Sequence, residues 1–184
     1  FFVTGSKKES NFHVVDSEHR GLAALDAVTA IVIAEGYATA DTLSQALSCP
    51  VVAAFDSGNL LKVAQVLQKK YPQKPIVIAG DDDLTQESIN GKNPGKEKAM
   101  EAAQLVNGAV VLPIFAPGEQ MSQQLSDFND LANKSVLGIE AVKRQVGSVV
   151  EKVSQQAKQD SLLKLQVPIE PKQQEIKQKR ALVR

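Results

Sequence analysis

Four groups of acidic residues stand where short apolar runs end. Glu35-Gly36 follows Ala30-Ile31-Val32-Ile33-Ala34 directly, and Asp56 follows Val51-Val52-Ala53-Ala54-Phe55. Asp81-Asp82-Asp83 follows Pro75-Ile76-Val77-Ile78-Ala79 after a single glycine, Gly80. Ser126-Asp127-Phe128-Asn129-Asp130 comes after Ala109-Val110-Val111-Leu112-Pro113 and a loop containing proline and glycine. Two carboxylates about 4 Å apart repel by roughly 4 kcal/mol at an effective dielectric of about 20, so gathering such groups is costly without cations. A hard divalent ion reverses the sign of that energy, and Mg²⁺ favours oxygen ligands while keeping several waters. The chemistry this suits is phosphoryl transfer, with metals holding the attacking and leaving oxygens.

Individual roles follow from residue type and place. Asp81 and Asp83 are candidate metal ligands. Glu35 can act as general base, general acid or metal ligand, and Gly36 beside it leaves room for backbone or substrate to approach. Asp56, in Asp56-Ser57-Gly58-Asn59, is either part of this site or the cap of a helix beginning near Leu60. Asp127 and Asp130 are either metal-adjacent or, with Ser126, part of a cap for the next helix. Lys96 and Lys98 fall in the first turn of a helix opening at Pro94, where they either bind phosphate or sit solvated on the surface.

These groups need elements to position them. The four apolar runs are hydrophobic on both faces, as strands buried between two helical layers are. Between them, Leu60, Val63, Ala64 and Leu67, and again Ala99, Ala102, Ala103 and Val106, fall at i, i+3, i+4, i+7 and predict helices. Asn93-Pro94-Gly95 reads as an N-cap with proline at the first helical position, and Asn107-Gly108 as that helix's end. Leu22 to Val28 is a short apolar helix candidate, and the polar stretch from Leu84 to Lys92 is expected to be a loop that moves until substrate arrives. Phe2-Val3 and Asn11 to Val15 are expected to form a small hairpin around Gly5-Ser6-Lys7-Lys8. Strands alternating with crossover helices give an α/β fold with a doubly wound sheet of about four parallel strands. Ligands of such sheets bind outside the carboxyl ends of the strands, the ends that carry the acidic groups.

The chain divides into an N-terminal hairpin and helix lead-in over 1–28, a core over 29–138, an amphipathic helix over 139–165 and a basic linker or disordered tail over 166–184. Ile139, Val142, Val146, Val149 and Val153 set the stripe of that helix, to pack on the body or on a partner. A formal charge of zero conceals an asymmetry: residues 1–138 carry a net −5 and residues 139–184 a net +5. An acidic body suits metal ions, and a basic tail suits nucleic acid or a neighbouring domain.

With 184 residues the chain is one domain's length, and 43% hydrophobic with 23% charged residues excludes wholesale disorder. No apolar run approaches the roughly 18 residues of a membrane span. A single cysteine, Cys49, excludes an internal disulfide framework and a cysteine-rich zinc site. The chain opens Phe1-Phe2 without Met or a signal-type segment, the pattern of a piece of a longer protein.

Ile33-Ala34-Glu35-Gly36-Tyr37-Ala38-Thr39-Ala40 and Ala79-Gly80-Asp81-Asp82-Asp83 resemble the two signature motifs of the Toprim domain, a Glu-Gly after one strand and an Asp-x-Asp after a later one. Gly5-Ser6-Lys7-Lys8, Ala54-Phe55-Asp56-Ser57-Gly58-Asn59-Leu60, Asn93-Pro94-Gly95 with Ala102-Ala103, and Ser126-Asp127-Phe128-Asn129-Asp130-Leu131 narrow the resemblance. Together they are similar to Toprim domains of plasmid and phage DNA primases, including primase modules fused to conjugative relaxases, over roughly residues 1–135. The resemblance implies a Toprim core binding Mg²⁺ or Mn²⁺, with Glu35 as the catalytic glutamate and Asp81 and Asp83 as metal ligands, joined by Glu35 and Asp127. Bacterial replicative primases often carry a further acidic residue four positions after that glutamate; here the position is Thr39. The implied activity is RNA primer synthesis on single-stranded DNA from nucleoside triphosphates in the bacterial cytoplasm, with no membrane partner. Lys7, Lys8, Lys96 and Lys98 are its candidate template or phosphate ligands, and other domains of the parent protein are its partners. A Toprim nuclease would use the same carboxylates. A non-catalytic module of a relaxase-primase would instead dock through the 139–153 helix and the basic tail.

Overall fold

The computed structural model describes residues 9–166, so Lys7, Lys8, the first half of the expected hairpin and the tail beyond Gln166 lie outside the described residues. Five strands form one sheet: β1 His13–Val15, β2 Ile31–Ala34, β3 Val51–Ala53, β4 Ile76–Ala79 and β5 Ala109–Val111. Their order is β1-β3-β2-β4-β5. The four expected strands, β2 to β5, run parallel, and β1 adds an antiparallel edge strand paired with β3. Leu22 to Val28 contributes to a 3₁₀ helix, Gly21–Asp26.

The unbroken apolar runs are explained by two helical layers. In the strands, Val32, Ala34, Val51, Ala53, Val77 and Ala79 face α1 (Tyr37–Leu47), α6 (Phe128–Asn133) and α7 (Gly138–Gln166). Their alternates Ile31, Ile33, Val52, Ala54, Ile76 and Ile78 face α2 (Ser57–Lys70) and α4 (Pro94–Leu105). A strand covered on both sides can afford no polar residue until it leaves the sheet, which is why the first charge after β2 falls at Glu35.

Helix α7 is 29 residues long, and its stripe of Val142, Val146, Val149 and Val153 packs on the body, with Ser154 hydroxyl-bonded to Thr29 at 3.0 Å. Past that point Leu162, Leu163 and Leu165 are exposed. Among the described residues no helix is long and apolar enough to cross a membrane.

Where a loop is expected between Leu84 and Lys92, the chain forms a short helix, α3 (Leu84–Asn90). Asp83 caps it by accepting from the backbone N–H of Gln86, and Gly91 closes it at φ 71°, a left-handed turn that glycine adopts without penalty. Polarity misleads here because α3 buries none of its residues. A further short helix, α5 (Glu119–Gln123), lies in the long connection from β5 to α6.

The register of β2 against β4 sets the geometry of everything at the sheet's carboxyl edge. Ala34 pairs with Ala79, so Glu35 and Gly80 leave the sheet side by side. This is also where the crossovers diverge, β2 leading through α1 to one side and β4 leading to β5 on the other. Gly80 must be glycine for lack of space: an added Cβ would stand 2.5 Å from Ala99 Cβ and 3.0 Å from Leu112 Cδ2. Gly80→Ala is therefore expected to destabilise the protein by about 2 kcal/mol through overpacking between β4 and α4. Chemical denaturation measures this; wild-type stability would show that α4 can move away freely.

Candidate metal centre

Asp81 lies at this edge within electrostatic reach of carboxylates from two other elements, Glu35 and Asp127. Glu35 comes directly off β2, Asp81 follows Gly80 off β4, and Asp127 arrives at the N-terminus of α6. Their closeness registers in their acidities. Burial raises the pKa of Glu35, the charges of Asp56 and Asp127 raise it further, and a hydrogen bond from the Ser57 backbone N–H partly opposes them. Asp81 is pushed up to about 8, first by burial and then by the charges of Glu35, Asp127 and Asp130. Its Oδ1 is buried and has no hydrogen-bond partner among the described residues.

Asp127 resolves the choice between cap and site by doing two things with two oxygens. Oδ1 accepts the Asp130 backbone N–H at 2.7 Å, capping α6, while Oδ2 accepts the Thr39 hydroxyl at 2.8 Å. Thr39 is buried, and one turn later Thr42 donates to Asn129 at 3.0 Å, so α1 grips the start of α6 at two points. Asp130 is turned to the Ser126 backbone N–H and to Lys134, 2.7 Å away. Asp56 caps α2 by accepting from Gly58 N–H at 2.8 Å.

The three consecutive aspartates are sorted. Asp81 is the one whose carboxyl pKa is raised by the charges of Glu35 and Asp127. Asp82 accepts from the Asn93 side-chain amide at 2.8 Å and lies 3.5 Å from Lys96 Nζ. Its backbone N–H donates to the Ser126 carbonyl at 2.7 Å, and its carbonyl accepts from Gln120 at 2.7 Å. Asp83 spends Oδ1 on the α3 cap and is not among the charges that raise Glu35 or Asp81. Gly95 lets the start of α4 press against Asp81, since a Cβ there would stand 3.0 Å from Asp81 Cβ.

Of the basic candidates, Lys96 lies between Asp82 and Glu87, the latter 4.0 Å away. Lys98 pairs with Glu101 at 2.6 Å on the exposed face of α4. The site thus gathers Glu35, Asp81 and Asp127 and leaves Lys98 apart. Thr39, Asn93 and the Ser57 N–H are contributors that residue type alone did not mark. A threonine in an acidic residue's place and a helix-capping asparagine were visible, but not what they bind.

Among the described residues, no three Asp, Glu, His or Cys groups converge closely enough to enclose a metal by themselves. Mg²⁺ commonly takes only one or two protein carboxylates and completes its shell with water and substrate phosphate. A buried carboxylate oxygen without a donor, within reach of other negative charges, is relieved either by holding its own proton or by a hard cation, and the residue types present are compatible with the latter.

Comparison with known proteins gives the same direction. The Toprim domain family model matches residues 30–136. The chain is similar to two Escherichia coli proteins, each described as DNA primase TraC. It is 38% identical to one, over 86% of this chain and 14% of that protein, and 39% identical to the other, over 98% and 22%. The chain therefore spans only 14% and 22% of these two curated relatives. No solved structure shows significant similarity.

The raised pKa of Asp81 has a consequence for stability. The folded state holds this proton more tightly than the unfolded chain, whose aspartates titrate near 4. The group therefore costs stability progressively as pH rises from about 4 to about 8, and costs nothing below that window. In metal-free buffer Asp81→Asn is expected to be more stable than wild type at pH 8 by about 2 kcal/mol, with the difference vanishing near pH 4. Urea unfolding at the two pH values checks this; equal stability at pH 8 would show that the carboxylate is well solvated.

Proposed function

The chain belongs to the Toprim family, and on that premise we propose that it carries the nucleotidyl-transfer site of a primase-type enzyme. It would join ribonucleotides on a single-stranded DNA template in the presence of Mg²⁺ or Mn²⁺. The observation that carries this reading is the buried, donorless Asp81 oxygen beside Glu35 and Asp127 at the point where the sheet's connections diverge. The similarity to DNA primases supports the choice of reaction.

Asp81, Glu35 and Asp127 are the residues that would hold the cation, and Asp83 would join them only through its second oxygen. A bound divalent ion supplies charge neutralisation at the triphosphate and favours the deprotonated form of the attacking hydroxyl. Glu35 is the proton acceptor of the proposal. Desolvation makes its carboxylate more basic than an exposed glutamate, while the Ser57 N–H keeps one of its orientations fixed. Thr39 holds Asp127 in place through its hydroxyl. Lys96, already in the first turn of α4, would exchange its carboxylate partners for a phosphate of the incoming nucleotide. The surplus of basic residues after 138 suits a nucleic-acid strand or a neighbouring domain of a longer protein.

The test is ribonucleotide incorporation on single-stranded DNA by wild type and Glu35→Gln. The substitution is expected to lower the rate at least 100-fold, the usual range for a general base, with no loss of thermal stability. Incorporation that survives the change removes Glu35 from the chemistry. Metal-dependent DNA cleavage without nucleotide, and no incorporation, would replace the primase reading with a nuclease.

A further inference from the structure

Asn93 is 3% exposed, and its side chain is fully engaged. Its Nδ2 donates to Asp82 Oδ1 at 2.8 Å and to Glu87 Oε2 at 2.9 Å. Its Oδ1 accepts the backbone N–H groups of Asp83 at 3.3 Å and Lys96 at 3.4 Å. Four partners exhaust what an asparagine amide can bind, two donors on one side and one two-lone-pair acceptor on the other. The orientation is forced: two carboxylates face the NH₂ group and two backbone donors face the oxygen. An ordinary N-cap needs only the Lys96 N–H. The other three bonds hold the Asp81–Asp83 loop and the side of α3.

We infer that Asn93 is a positioning residue that sorts the aspartate triplet, holding the Asp82 carboxylate in its own donor shell so that Asp81, and not Asp82, is left with an unpartnered oxygen for the cation. The inference rests on the cation-binding reading above. Asp82 is the immediate neighbour of Asp81, and nothing in residue type separates the two. What separates them is where their oxygens find protons. Asp82 has an amide N–H from Asn93 and the nearby Lys96 ammonium, whereas Asp81 Oδ1 has no donor among the described residues. The same clamp pins the backbone on the far side of the triplet through the Asp83 N–H, while Ser126 and Gln120 hold Asp82. Aspartate at position 93 would keep the size and the acceptor but lose both donors. It would also set a third carboxylate against Asp82 and Glu87.

Mn²⁺ titration followed by paramagnetic resonance of the free ion tests this without any turnover. Wild type is expected to bind saturably and Asp81→Asn to lose that binding. Asp82→Asn is expected to bind within threefold of wild type, because its carboxylate is not used by the ion. Asn93→Asp is expected to bind at least tenfold more weakly. The exchanged pair Asn93→Asp/Asp82→Asn is expected to recover most of the lost affinity, since residue 82 then supplies the amide donor; a residue needed only for folding would not be rescued this way. If wild type binds no Mn²⁺, or Asp81→Asn binds equally well, the cation reading fails and this inference with it. If those two behave as expected while Asn93→Asp binds like wild type, or the exchange restores nothing, the sorting role alone is overturned. Should Asn93→Asp not fold in a melting control, Asp82→Asn decides: a tenfold loss there overturns the inference, and retained affinity sustains it.

Discussion

Much of this molecule hangs on the pairing of β2 with β4. Ala34 opposite Ala79 brings two chain exits, one carrying Glu35 and one carrying Asp81, to adjacent positions on a single edge. A slip of one residue would turn every side chain of β4 to the opposite face and move Asp81 along with it. The register is secured by apolar packing on both sides, Val32, Ala34, Val77 and Ala79 against one layer and Ile31, Ile33, Ile76 and Ile78 against the other. Gly80 then lets β4 leave the sheet hard against α4. The hydrophobic core is in this sense the instrument that places the carboxylates.

Placing them together has an electrostatic cost that the fold does not relieve. Exposed carboxylates elsewhere in the chain have partners: Glu119 takes the Ser135 hydroxyl and the Val136 N–H, which hold its pKa below the ordinary range. Asp81 receives burial and three negative neighbours instead. A fold that offers donors to its structural acids and withholds them from one buried aspartate retains a local instability which an external positive charge can relieve. Strained or frustrated groups of this kind mark functional sites more often than structural ones, because packing alone gives no reason to keep them. The surrounding helices distribute the remaining acids: α2 takes Asp56, α3 takes Asp83, and α6 shares Asp127 with Thr39 on α1.

The reach of the site in sequence is wide. Glu35 and Asp127 are nearly a hundred positions apart, and the helix that follows Glu35 reaches the start of α6 through the hydroxyls of Thr39 on Asp127 and Thr42 on Asn129. Thr39 is neutral, one turn after Glu35. Here the position orients a carboxylate and contributes none of its own. The edge therefore relies on fewer charges and on more neutral donors.

The fold class, the four parallel strands and the long terminal helix are legible in the sequence, as are the charges at the carboxyl ends of the strands. Those follow from hydrophobic period and from charges at strand ends, properties that reside in neighbouring residues. That Glu35 and Asp81 leave the carboxyl ends of strands is legible for the same reason. Which of three adjacent aspartates turns inward was not, because Asp81, Asp82 and Asp83 are chemically identical and differ only in the donors that Asn93, Lys96 and Gln86 bring to them. Helix α3 buries nothing and so leaves no apolar stripe in the sequence to read. The antiparallel partnership of β1 with β3 was equally hidden, as three residues carry no record of the strand they will meet. Local physics fixes the elements; only tertiary contact, through hydrogen bonds between residues tens of positions apart, decides what each acidic group is for.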